Sequence, residues 1–145
     1  GQQITSLTKT NLRQAIKSAY GLIGNDYEIY LISKKTGLSL TAITKQCPHV
    51  IITKGAKGSV INSHGKRYVI PPAKPHNTSD PTGAGDAYRA GLVYGIIQGY
   101  DMPISGRLGA VTSVYTVEKY GTQTHCFTWT ALQRRYKQNF KKSWL

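Results

Sequence analysis

The segment Asp80-Pro81-Thr82-Gly83-Ala84-Gly85-Asp86 concentrates the chemistry this sequence offers. Two glycines bracketing an alanine let the backbone turn tightly, with no side chain between it and a ligand. A helix that follows such a turn aims its free N–H groups and the positive end of its dipole at the same space. That combination holds phosphate, and above all the charge that spreads over a phosphoryl group in transit. Asp86, in the first helical turn, would repel a resting anion. Its carboxylate becomes useful where it accepts a proton from a hydroxyl attacking a γ-phosphate. The plainer alternative is a tight loop in which Asp86 only favours the helix dipole.

Two shorter patterns precede this segment. Asn25-Asp26-Tyr27-Glu28 has the spacing of a helix capping box. Thr53-Lys54-Gly55-Ala56-Lys57-Gly58 carries two glycines that permit close backbone approach, and Lys57 could add charge there or simply be solvated. Carboxylates are scarce: six Asp and Glu face nineteen Lys and Arg, a formal net charge of +13. Asp26, Glu28, Asp80 and Asp86 are four of the six, and they fall in just two short segments.

The run from Asp80 through Asp86-Ala87-Tyr88-Arg89-Ala90-Gly91 resembles the C-terminal signature of the PfkB/ribokinase family of carbohydrate and nucleoside kinases. Pro81 and the Arg89-Ala90-Gly91 ending are most similar to its bacterial adenosine-kinase-like branch. Asn25 to Glu28 is similar to the family's N-x-x-E motif and Thr53 to Gly58 to its T-x-G-x-x-G nucleotide loop, all three in the family's order. The resemblance implies a three-layer αβα, ribokinase-like (Rossmann-like) α/β fold, of which this chain is the C-terminal half. It also implies an ATP- and Mg²⁺-dependent kinase acting on the hydroxymethyl group of a nucleoside, adenosine first, or of a ribose- or fructose-like sugar.

By that resemblance Asp86 is the base, and Gly83, Ala84 and Gly85 supply the anion-hole N–H groups. Asn25 reaches the ATP phosphates and Glu28 orients water-bound Mg²⁺, a cation that gives up its waters reluctantly. Thr53, Lys54, Gly55, Ala56, Lys57 and Gly58 line the phosphate and ribose side of ATP. The family's monovalent-cation site, a potassium site, maps onto Asp80, Thr82, Thr116, Lys119, Gly121 and His125. One departure is Ala110, where many members have an asparagine that contacts the nucleotide. Another is length, since family members are about twice as long. Gly1-Gln2-Gln3 resembles a segment lying mid-chain in the family. The partners implied are the other half, as a segment or a separate chain, with a homodimer also compatible.

These motifs need elements to position them. Thr10 is expected to cap a helix over Asn11 to Ala19, and Tyr20 to Gly24 reads as a strand. Asn25 should cap a second helix that ends at Gly37, and a short helix should cover Leu40 to Lys45. His49 to Thr53 is a continuous apolar, β-branched run, as in a strand buried on both faces. Gly58 to Asn62 and Arg67 to Ile70 flank a hairpin turn, and Pro71, Pro72 and Pro75 make an extended connection. A helix from Gly85 to Gly99 carries a small-residue stripe, Ala87, Gly91, Gly95 and Gly99, which predicts very close packing. Further helices are expected over Pro103 to Lys119, with Ile104, Leu108, Val111 and Tyr115 on one face, and over Trp129 to Phe140.

The alternation of strands and helices argues one α/β domain over residues 1–145. Only two long-range strands and a hairpin are visible, fewer than the apolar helix faces need, so those faces are expected to dock on the missing half. No apolar run is long enough to cross a bilayer. Cys47 and Cys126 have no ligand spacing and read as reduced thiols, which places the protein in the cytoplasm. The positive charge is mostly dispersed, apart from Arg134, Arg135, Lys137, Lys141 and Lys142, so nucleic acid is not expected as the main partner. A non-catalytic kinase-fold module that binds nucleic acid through this charge is the alternative of a different class. No Walker motif and no early GxGxxG is present, which argues against those nucleotide sites.

Overall fold

A computed structural model describes residues 4–144. The resemblance noted for Gly1-Gln2-Gln3 lies outside these residues. The chain divides into two compact units, one running to Gly55 and resuming over Ser59–Val69, the other comprising Ala56–Gly58 and the chain from Ile70 onward.

The first unit is built on a sheet. Helix α1 (Lys9–Ser18) starts two residues before the expected point, because Thr8 rather than Thr10 caps it, accepting from the Asn11 N–H at 3.1 Å. Strand β1 (Gly21–Asn25) leads into helix α2 (Asp26–Thr36), which stops at Gly37, in the left-handed region at φ 70°. Helix α3 (Leu40–Gln46) then feeds β2 (His49–Thr53). β1 and β2 are parallel, and α2 and α3 supply the crossover that a parallel pair requires. β3 (Ser59–Ser63) pairs antiparallel with β2, and β4 (Lys66–Ile70) completes the order β1-β2-β3-β4. The β3–β4 turn is two residues, His64 and Gly65, both at positive φ, which matches the twist of the flanking strands. As expected from its sequence, β2 is buried along nearly its whole length. Val50 and Ile52 join Leu12, Ile16, Ile29, Ile32 and Ile43 in one core.

Three helices dominate the second unit: α4 (Ala84–Ile97), α5 (Met102–Val117) and α6 (Trp129–Phe140). The predicted small-residue stripe is the α4–α5 contact. A Cβ on Gly91 would lie 2.3 Å from Thr112 Oγ1 and 2.7 Å from the Leu108 carbonyl, and one on Gly95 would lie 2.7 Å from Ser105 Cα. The contact is reciprocal, since a Cβ on Gly109 would come within 2.8 Å of the Tyr88 carbonyl. The Thr112 hydroxyl donates across it to the Ala87 carbonyl at 2.7 Å. Gly99 falls outside the stripe, past the helix end, with nothing within 4 Å of its Cβ position. The single apolar face expected for α5 is also too narrow. Ser105, Gly106, Gly109, Ala110, Val114 and Thr116 are buried together with Leu108 and Val111, so this helix is covered nearly all round. α6 closes on an aromatic cluster in which Tyr136 and Trp144 lie 4.6 Å apart between ring centroids.

Gly91→Ala should lower stability by about 1–3 kcal/mol, because its methyl meets backbone that cannot step aside. Gly85→Ala is the control: its Cβ would meet nothing within 4 Å. Denaturant midpoints of the two variants read the difference, and equal midpoints would mean that the α4–α5 spacing is soft.

Candidate functional site

In the second unit the glycine turn folds as a stapled loop. Asp80 Oδ1 accepts from the Thr82 N–H at 2.9 Å, and Oδ2 accepts from the Gly121 N–H at 3.1 Å. One carboxylate therefore ties the turn before α4 to the loop after α5. These bonds, the Thr82 interactions first, hold the Asp80 carboxyl below the usual carboxylate range. The backbone reinforces the tie, since the Ser79 and Asp80 N–H groups donate to the Val117 carbonyl at 2.9 and 3.1 Å.

Gly83 then takes φ 83°, and a Cβ there would press on Thr122 at 3.1 Å, so both conformation and space call for glycine. The Ala84 N–H donates to the Pro81 carbonyl and the Asp86 N–H to the Gly83 carbonyl, at 3.1 and 3.0 Å. The N–H groups of Gly83 and Gly85 have no protein acceptor among the described residues. Of the three N–H groups expected to form the anion hole, two are thus free and Ala84's is committed inside the turn. Asp86 follows directly, with a side chain 81% exposed and one oxygen, Oδ1, held by Arg89 Nη1 at 2.5 Å.

Of the residues matched to the monovalent-cation site, Asp80, Thr82 and Gly121 are brought together by the staple. Thr116 is fully buried and lies 3.3 Å from His125 Nε2 through its hydroxyl, and its carbonyl accepts from the Lys119 N–H at 3.1 Å. No group of three or more His, Cys, Asp or Glu side chains is arranged for a metal among the described residues.

In the first unit Asn25 and Glu28 form the capping box that their spacing suggests. Asn25 Oδ1 accepts from the Glu28 N–H at 2.8 Å, and Glu28 Oε2 accepts from the Asn25 N–H at 2.9 Å. Asn25 ends β1 directly opposite Thr53 at the end of β2. The two motifs are therefore neighbours at the carboxyl ends of parallel strands, where open α/β sheets bind their ligands. Lys54, Gly55, Ala56 and Lys57 are exposed beyond Thr53. Gly58 must be glycine, since at φ 81° its Cβ would fall 2.2 Å from the Ile70 carbonyl.

Sequence reasoning passed over Glu118. It pairs with Arg135, and both side chains are nearly buried. Its Oε1 also accepts the His76 N–H at 2.5 Å, while Arg135 donates to the Lys74 carbonyl at 3.2 Å. This pair straps the proline-rich connection to α5 and α6. Burial alone would raise the Glu118 carboxyl, but Arg135 and the His76 N–H outweigh it and hold it low. The only signal in the sequence was the scarcity of acids, which makes each one suspect.

Comparison with known proteins places these motifs. The sequence matches the family described as pfkB family carbohydrate kinase over residues 2–130. The chain belongs to this family. A nucleoside kinase of Methanocaldococcus jannaschii is 34% identical over 139 residues, covering 96% of this chain and 46% of the relative. The structure of the Burkholderia thailandensis nucleoside kinase in complex with inosine superposes with a TM-score of 0.96 at 34% identity, over 99% of this chain and 48% of that one. An ADP-inosine complex of the same enzyme also gives 0.96, over 99% of this chain and 45% of that one, at 34% identity. The α/β fold is thus that of ribokinase-family structures, and the chain spans about half the length of the kinases it matches.

The two depressed carboxyls give a pH prediction. A group whose folded pKa lies below its unfolded value stabilises the fold above the unfolded value and loses that contribution as pH falls through the folded one. Stability should therefore decline below about pH 4, the ordinary carboxylate range. Glu118→Gln, which leaves Arg135 buried without its partner charge, should cost about 3–5 kcal/mol at neutral pH and flatten the acid limb. Unfolding free energies measured from pH 7 downward check both, and an unchanged acid limb in the variant would count against the assignment.

Proposed function

We propose that this chain is the C-terminal, nucleotide-binding and catalytic part of an ATP-dependent nucleoside kinase that phosphorylates the hydroxymethyl group of a purine nucleoside such as adenosine. One observation supports this most directly. An exposed carboxylate, Asp86, immediately follows two backbone N–H groups, Gly83 and Gly85, that lack protein acceptors at the start of a helix. The N–H groups face charge developing on the phosphoryl oxygens, while Asp86 takes the proton of the attacking hydroxyl. Catalysis of this kind is chiefly positioning and electrostatics, which suits a turn whose shape is set by Asp80 and by the close α4–α5 packing.

Asn25 and the loop Thr53 to Gly58 are assigned to the nucleotide, and Gly83 and Gly85 to the anion hole, the Ala84 N–H being held by the Pro81 carbonyl. Glu28 is assigned to Mg²⁺ through water. Mg²⁺ bound there supplies charge neutralisation on the phosphates. Asp80, Thr82, Thr116, Lys119, Gly121 and His125 are assigned to a potassium ion, with Asp80 holding together the two loops that would surround it. The kinases similar to this chain, one of them described with inosine and with ADP-inosine, favour a nucleoside over a free sugar as acceptor.

In the intact protein Asp86→Asn should cut kcat by about 10²–10⁴-fold with little change in ATP affinity. Initial rates with ATP, Mg²⁺ and adenosine, inosine or ribose measure both the loss and the acceptor. Near-normal turnover of the variant would remove Asp86 from the mechanism, and a preference for ribose would move the chain to the sugar kinases.

A further inference from the structure

The basic cluster near the end of the sequence is part of a larger band in the second unit. Arg134, Lys137, Gln138 and Lys141 line an open recess of about 390 Å³ along one face of α6. The spacing i, i+3, i+4, i+7 puts them in a single row about 10 Å long. A second recess of about 370 Å³ adjoins it through the shared Gln138 and adds Lys74, Pro75, His76, Arg135 and Asn139. Lys74, Arg134, Lys137 and Lys141 are exposed, and none has a carboxylate partner among the described residues. Of the second unit's carboxylates, Asp80 staples the glycine turn, Asp86 pairs with Arg89, Asp101 caps α5 and Glu118 is held by Arg135.

We infer that this band is a docking surface for the sugar-phosphate backbone of a nucleic acid, separate from the kinase chemistry. The composition of the band chooses the partner. A protein partner needs buried apolar or aromatic anchors, and a membrane surface needs an apolar helix face. The lining offers one small apolar residue, Pro75, and is otherwise cations and the hydrogen-bonding groups of Gln138, Asn139 and His76. A backbone of closely spaced phosphates asks for just that set, and it binds through counterion release without reading sequence.

The test is binding of short duplex DNA and RNA oligonucleotides to the intact protein, followed by fluorescence anisotropy between about 50 and 200 mM salt. With Lys74, Arg134, Lys137 and Lys141 engaged, log K should fall against log salt with a slope of about −3.6, roughly a hundredfold loss over that range. The variant R134Q/K137Q/K141Q should reduce that slope by about 2.7 and weaken every oligonucleotide alike. The control K17Q/K45Q/K66Q removes the same charge from exposed positions of the other unit and should leave the slope unchanged. Equal losses from both variants would show diffuse electrostatics and overturn the inference. So would poly-glutamate competing as well as DNA at matched charge, which would assign the band to acidic proteins. Unaltered adenosine phosphorylation by the first variant would confirm that it is folded.

Discussion

The close approach of α4 and α5 is the constraint on which the second unit depends. At Gly91 and Gly95 there is no room for a methyl group, because the backbone of α5 occupies its place. Hydrophobic burial alone does not require such intimacy. What it provides is a helix that cannot shift or roll, and the first turn of that helix carries Gly85 and Asp86. A site that works by positioning donors against developing charge loses its value if the donors drift by an ångström. On the proposed function, the glycines deep in α4 fix where the glycines at its start point.

Asp80 does for the loops what those glycines do for the helices. Its carboxylate accepts from both sides of a gap of forty-one residues, and Gly83 packs beneath Thr122 of the same distant loop. Glu118 and Arg135 repeat the logic one layer deeper, with a buried ion pair whose remaining bonds go to the backbone at His76 and Lys74. Buried pairs are weak sources of net stability but strong penalties when half-removed. In a chain with six acids, three of the four in the second unit are spent on fixing loops and helix ends.

How much of this was legible in the sequence depended on the range of the interaction. The capping box of Asn25 and Glu28, the stop at Gly37, the span of β2 and the limits of α6 are local, and residues within four positions decide them. The start of α1 is ambiguous in the sequence because Thr8 and Thr10, two residues apart, are equally good caps. Thr8 is the cap because it holds the extended conformation of that position, with φ −72° and ψ 161°, and its hydroxyl accepts from the Asn11 N–H. The apolar pattern of α5 shows only one face because small polar residues such as Ser105 and Thr112 are buried by hydrogen bonding to backbone carbonyls, which hydropathy does not register.

By itself the sequence determined the elements, the glycine turn before a helix and the presence of Asp86 within it, since these follow from residue types at short spacing. Two things were settled only by tertiary structure. One is that Asp80 reaches Gly121 and Glu118 reaches Arg135, pairings between residues with no periodic relation in the chain. The other is that Lys74 joins the cations of α6, sixty or more residues away, in one band. Local propensity acts through neighbouring dihedrals and is written residue by residue. Contacts across long loops are decided by which buried polar groups must find partners once the helices have packed, and that choice exists only in three dimensions.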